Sequence, residues 1–112
     1  MCSHAADATI AGGWGDYEVG WDEVGPRYDW ATARFAGGDR GYEPVAMGVS
    51  GDLAYAFGIE RGTVRLVGMA DPAPMALRVT HVYRRENGEW KLLHRHADPL
   101  MGKMPPEAVV QR

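Results

Sequence analysis

The chain has 112 residues, a formal net charge of −3 with both signs interspersed, and a single cysteine. That length suits one domain, residues 1–112, with a core of modest size. The charge offers no basic surface to nucleic acid or to an anionic membrane, and a lone thiol, Cys2, cannot close an internal disulfide, as expected of a cytoplasmic protein.

No apolar run approaches the roughly 20 residues that a membrane span requires, and the opening "MCSHAADATI" lacks the basic-then-apolar pattern of a secretory signal. The first predicted element is a helix within "GWDEVGPRYDWATARFAGG". Trp21, Val24, Tyr28, Ala31 and Phe35 fall on one stripe at helical period. Pro26 suits the first helical position, where its missing N–H costs nothing, with residues 21–24 as a preceding turn and Gly37-Gly38 as the stop. Trp14, in a glycine-rich stretch ahead of this helix, suits a lid.

Strands follow. "YEPVAMGV" reads as an edge strand with Pro44 near its start. "SGD" turns into "LAYAFGIE", and "RGT" is expected to turn again into "VRLVGMA". "DPAPM" leads into "ALRVTHVYRRE", Asn87-Gly88 supplies a hairpin turn, and "EWKLLHRHAD" returns as the last strand. A helix ahead of a meander of about five to six strands makes an α+β domain, an antiparallel sheet packed on the helix, and because one helix leaves apolar sheet surface uncovered the sheet must be curved, dimerise or recruit more helix.

Alternation along the last strand puts Trp90, Leu92, His94, His96 and Asp98 on one face, with Lys91, Leu93, Arg95 and Ala97 on the other. The two histidines then project the same way, about 7 Å apart at Cα. Large apolar groups mixed with convergent polar ones are the composition of a pocket wall, so the face carrying Trp90, His94 and His96 is expected to line a cavity. A histidine titrating near neutrality can take and give a proton, and a carboxylate beside it orients the ring. That makes His94, His96 and Asp98 the catalytic candidates. The spacing of helical His-Glu-x-x-His sites is absent, as is the downstream glutamate that cupin sites pair with His-x-His, so no metal is expected. The plainer alternative is that these histidines are hydrogen-bonded wall residues.

The segment "LRVTHVYRRENGEWKLLHRHADP" resembles the C-terminal hairpin of SnoaL-like and ketosteroid-isomerase-like proteins, of the nuclear transport factor 2-like superfamily. It is also similar to the hairpin that closes the association domain of calcium/calmodulin-dependent kinase. "HAADATIAGGWGDYEVGWDEV" and "DLAYAFGIERG" resemble that superfamily's approach to its long helix and its central strand. The resemblance implies a cone-shaped cavity, no cofactor and a homodimer formed sheet to sheet. It also implies a chain short of the superfamily's first helices. The expected ligand is a small, largely apolar organic molecule of unspecified identity. Trp21, Tyr28, Tyr55, Phe57, Glu60, His81 and Tyr83 are expected to contact it. The implied activity is cofactor-free proton transfer, of isomerase, dehydratase, cyclase or hydrolase type. The alternative is a non-catalytic ligand-binding or oligomerisation module.

Overall fold

A computed structural model describes residues 1–111 of the chain. Six strands form one curved mixed sheet: β1 (Thr9–Ala11), β2 (Glu18–Val19), β3 (Phe35–Ser50), β4 (Leu53–Leu66), β5 (Ala73–Glu86) and β6 (Glu89–Pro99). A single α-helix, α1 (Trp21–Thr32), lies between β2 and β3, and a 3-10 turn covers Pro106–Val109. The strand order is β2-β1-β6-β5-β4-β3; β1 runs parallel to β6 and every other neighbour is antiparallel. The α+β curved sheet expected from the sequence is therefore present, its meander being β3 to β6.

Two hairpin turns are legible in the sequence and present in the structure. Asn87 and Gly88 take φ 52° and 80° between the paired Glu86 and Glu89. Gly51, at φ 59°, turns β3 into β4 between the paired Ser50 and Leu53. Elsewhere the elements are longer than local pattern suggests. "RGT" is no turn: Arg61, Gly62 and Thr63 lie inside β4, paired with β3 on one side and β5 on the other. Cross-strand pairing on both sides outweighs a weak local turn signal. Likewise the helix ends at Thr32, while Phe35 opens β3 and Gly37-Gly38 lie within that strand. The helix also begins earlier than expected. It starts at Trp21 and holds Pro26 inside, where the proline leaves the Asp22 carbonyl without its usual i+4 donor.

β3 and β4 approach each other closely at two glycines. A Cβ at Gly62 would run into the backbone oxygen of Asp39, and one at Gly38, whose φ is 122°, into that of Thr63. Only glycine permits that approach. The fully packed core is small: Val79, Ala97, Ile10, Ala8, Val24 and Val64. The middle of the concave side is open rather than filled.

Residues 1–3 run beside β6, with Ser3 N–H donating to Leu92 O and Leu92 N–H to Met1 O. Buried Ser3 donates its hydroxyl to Glu86, which also accepts from Arg84, and Arg84 donates two hydrogen bonds to Asp7. Among the described residues no helix is long and apolar enough to cross a membrane.

Candidate functional site

A cavity of about 740 Å³ lies between α1 and the concave face of the sheet. That volume is in the range of small-molecule sites. Its apolar wall includes Ile10, Phe35, Val64, Leu66, Met75 and Leu77. Its polar groups are Tyr28 from α1, Arg40 and Tyr42 from β3, Glu60 from β4, His81 from β5 and Arg95 from β6, with Arg27 and Trp14 also lining it.

Which residues face the cavity depends on one irregularity in β6. Tyr83 pairs with Leu92 and Val82 with His94, so Leu93 is an extra residue, a β-bulge. Alternation is reset there. Leu92 and Arg95, three residues apart, both reach the cavity, while His94, His96 and Asp98 pair across from Val82, Thr80 and Arg78 on the outer, convex face. The expectation that Trp90, Leu92, His94, His96 and Asp98 share the cavity face is thereby corrected, because unbroken alternation holds only for a strand without a bulge.

On the convex face the three residues have other partners. Asp98 accepts two hydrogen bonds from Arg78, at 2.7 and 2.8 Å, which hold its carboxyl below the usual range. His94 Nδ1 lies 2.7 Å from Thr9 Oγ1, and burial, followed by the charge of His96, lowers its pKa. His96 Nε2 is 4.0 Å from Asp98, beyond hydrogen-bond reach. Among the described residues no three His, Cys, Asp or Glu side chains come together as metal ligands.

The expected ligand contacts divide. Tyr28, Glu60 and His81 line the cavity. Tyr83 stands behind His81, its hydroxyl 3.4 Å from Nδ1. Trp21 stacks on His4, ring centroids 4.0 Å apart, away from the lining. Tyr55 and Phe57 pair with Val82 and Thr80 and so face outward.

Arg95, which alternation alone placed opposite the site, is its centre. Nη1 and Nη2 donate to the two oxygens of Glu60 at 3.0 and 3.3 Å, and Nη1 also lies 2.9 Å from His81 Nε2. An arginine only donates, so Nε2 accepts and the imidazole is neutral, with its proton on Nδ1 facing Tyr83. The lowered pKa of His81 agrees; burial is the main cause and Arg95 the second. With its lone pair occupied, His81 is poorly placed to act as a base. The free lone pairs of the Glu60 carboxylate are the better acceptor. Tyr28 is pushed up to about 12 by burial, so its hydroxyl stays protonated and is available as a donor. No local signal in the sequence marks Arg95 as part of the site; a bulge is visible only from its neighbouring strand.

No family model and no curated protein match the chain. Solved structures do. A nuclear transport factor 2-like superfamily protein from Salmonella enterica serovar Typhimurium superposes with TM-score 0.78 at 18% identity, over 95% of this chain and 78% of that one. A ketosteroid isomerase-like protein from Erwinia carotovora atroseptica gives 0.75 at 20%, over 88% and 76%. A proposed dehydratase of the same family from Streptomyces avermitilis gives 0.73 at 23%, over 85% and 67%. At these identities the likeness is one of fold: the chain has the nuclear transport factor 2-like α+β cone.

Proposed function

We propose that this chain, with its nuclear transport factor 2-like fold, binds a small, largely apolar organic molecule in the concave cavity and moves a proton on it without a cofactor. The observation that carries the proposal is Glu60 at an apolar wall, oriented by both terminal nitrogens of Arg95. The role expected of His94, His96 and Asp98 passes in this reading to Glu60.

The step is simple. Glu60 takes a proton from the carbon beside a carbonyl, and the C–H electron pair moves into the carbonyl to give an enolate. The Tyr28 hydroxyl and remaining Arg95 N–H groups supply the donors for that oxygen. In a β,γ-unsaturated carbonyl compound the enolate is conjugated with the C=C bond, so return of the proton from Glu60 to the γ carbon shifts that double bond into conjugation with the carbonyl, completes an isomerisation and restores the carboxylate. The neighbours named as a dehydratase and as ketosteroid isomerase-like are in keeping with this reaction class. Exchange of the α-hydrogens of tetralone in heavy water, followed by proton NMR, tests it. The expected result is enhanced exchange that Glu60→Gln abolishes with the fold retained. Binding without enhanced exchange would leave a ligand-binding module and remove the catalytic half.

A second reading concerns the convex face. Leu53 and Tyr55 are 50% and 46% exposed there, beside Phe57 and Ile59 on the same strand face. Contiguous exposed apolar side chains mark association surfaces, which supports a homodimer formed sheet to sheet. Light scattering should give a dimer that Tyr55→Glu converts to monomer; a monomer for the unaltered chain contradicts it.

A further inference from the structure

We infer that the ligand of this cavity is an organic anion, a carboxylate on a flat apolar frame, with Arg40 as its anchor. The inference rests on the small-molecule reading above and specifies the class of ligand. Three arginines, Arg27, Arg40 and Arg95, line the cavity against a single carboxylate, Glu60. Their partners differ. Arg95 has its charge matched by Glu60, which accepts from both of its terminal nitrogens, and its Nη1 also lies against His81 Nε2. Arg27 lies 3.6 Å from Glu18.

Arg40 makes no side-chain hydrogen bond among the described residues. Its approach to Glu60 Oε1 is 4.0 Å, too long for one, and that oxygen already accepts from Arg95 at 3.3 Å. One carboxylate thus faces two guanidinium groups, and neutral His81 adds no negative charge. The positive charge left over sits on Arg40.

The geometry also prepares Arg40 for a planar anion. Its guanidinium stacks on Phe35, 4.3 Å from the ring centroid. Stacking uses a face of the group and leaves its N–H edge open for a forked contact with a carboxylate. Arg40 is held on a strand, directly across from Gly62, which places no side chain in front of it. The aromatic rim continues from Phe35 to Trp14 at 5.7 Å and on to Trp30 at 5.5 Å, with Arg27 over Trp30 at 4.0 Å. An aromatic acid would place its ring against the apolar wall and its carboxylate at the edge of Arg40.

Naphthoate and its neutral isostere naphthamide separate charge from shape. Titration of each by calorimetry and by quenching of tryptophan fluorescence should show naphthoate binding roughly tenfold or more tightly, the worth of a charge-assisted contact. Arg40→Met should bring naphthoate down to the level of naphthamide and leave naphthamide unchanged, and Arg40→Lys should recover part of the difference. Equal binding of the two compounds to the unaltered protein overturns the anion inference while the cavity reading stands. A naphthoate preference that survives Arg40→Met overturns the role of Arg40. Binding of neither compound at millimolar concentration removes the cavity reading, and the inference with it.

Discussion

Arg95 and His81 face each other across β6 and β5 as direct cross-strand partners, with Arg95 Nη1 2.9 Å from His81 Nε2. The contact fixes the imidazole as a neutral acceptor, and it requires both residues to point into the cone.

The first prediction follows from that neutrality. His81 and His94 both have pKa values lowered from 6.5, each chiefly by burial, while the unfolded chain protonates histidine near 6.5. Below that pH the unfolded state binds more protons than the folded state, so stability falls as the pH drops through the window under 6.5 and recovers on return. The groups acting on His81 are Arg95, Glu60 and His94. Thermal melts across this range should show the midpoint falling by several degrees. His81→Gln, which keeps an acceptor for Arg95, should flatten part of that slope. The carboxyls Asp7, Glu86 and Asp98 are lowered by their hydrogen-bond partners, so their contributions are lost as the pH falls through the ordinary carboxylate range and on down to their depressed values. The two windows are separable. A midpoint independent of pH between neutrality and 5 would contradict the assignment of neutral, buried histidines.

The second concerns Arg95 and Glu60, whose side chains are 19% and 16% exposed. Removing either strands the other in a partly desolvated site. Arg95→Met should cost about 2 kcal/mol of unfolding free energy, and Glu60→Gln less, since an amide can still accept. The double variant should lose less than the sum of the two singles. Strict additivity in denaturant titrations would mean that the pair is not coupled.

Deletion of Leu93 gives a third test. Without the bulge, Leu92 would still face the cavity, His94 would still face out and Arg95 would still reach His81. The shortened chain should fold cooperatively with a modest loss of stability. Inserting one residue between Arg95 and His96 should do greater damage, since it would turn buried Ala97 outward. Comparison of the melting midpoints of the two variants checks this; equal damage from both would sink the bulge assignment.

A fourth concerns the close approach of β3 and β4. Gly62→Val puts a Cβ into the Asp39 carbonyl, so the edge strand must move and carry Arg40 with it. The variant should lose roughly 2–3 kcal/mol, as overpacking typically costs. Gly41→Ala, where an added Cβ meets nothing within 4 Å, should be close to neutral. Chemical denaturation of both variants measures the difference.

Much of the architecture is local and therefore readable. The Trp21 to Ala31 stripe marks the helix, Asn87-Gly88 marks the last hairpin, and alternation marks β4 and β5. Three cavity residues, Tyr28, Glu60 and His81, are also legible, because each follows the local period on a single unbroken element. The errors lie where pairing overrides local pattern. Arg61-Gly62-Thr63 carries turn chemistry but is held extended between two neighbouring strands. Phe35 fits the helical stripe but starts β3.

The helix, the hairpins and the α+β class are set by propensity and period, which act over a few residues along the chain. The identity of the site is not. An amino-acid string carries the rule that strand side chains alternate, but the place where the rule is broken depends on which residues of the next strand are met. Leu93 has no partner in β5, and that one unpaired residue sends His94, His96 and Asp98 outward and brings Arg95 in to Glu60 and His81. Only the tertiary pairing decides that the arginine between two conspicuous histidines, rather than the histidines themselves, faces the cavity.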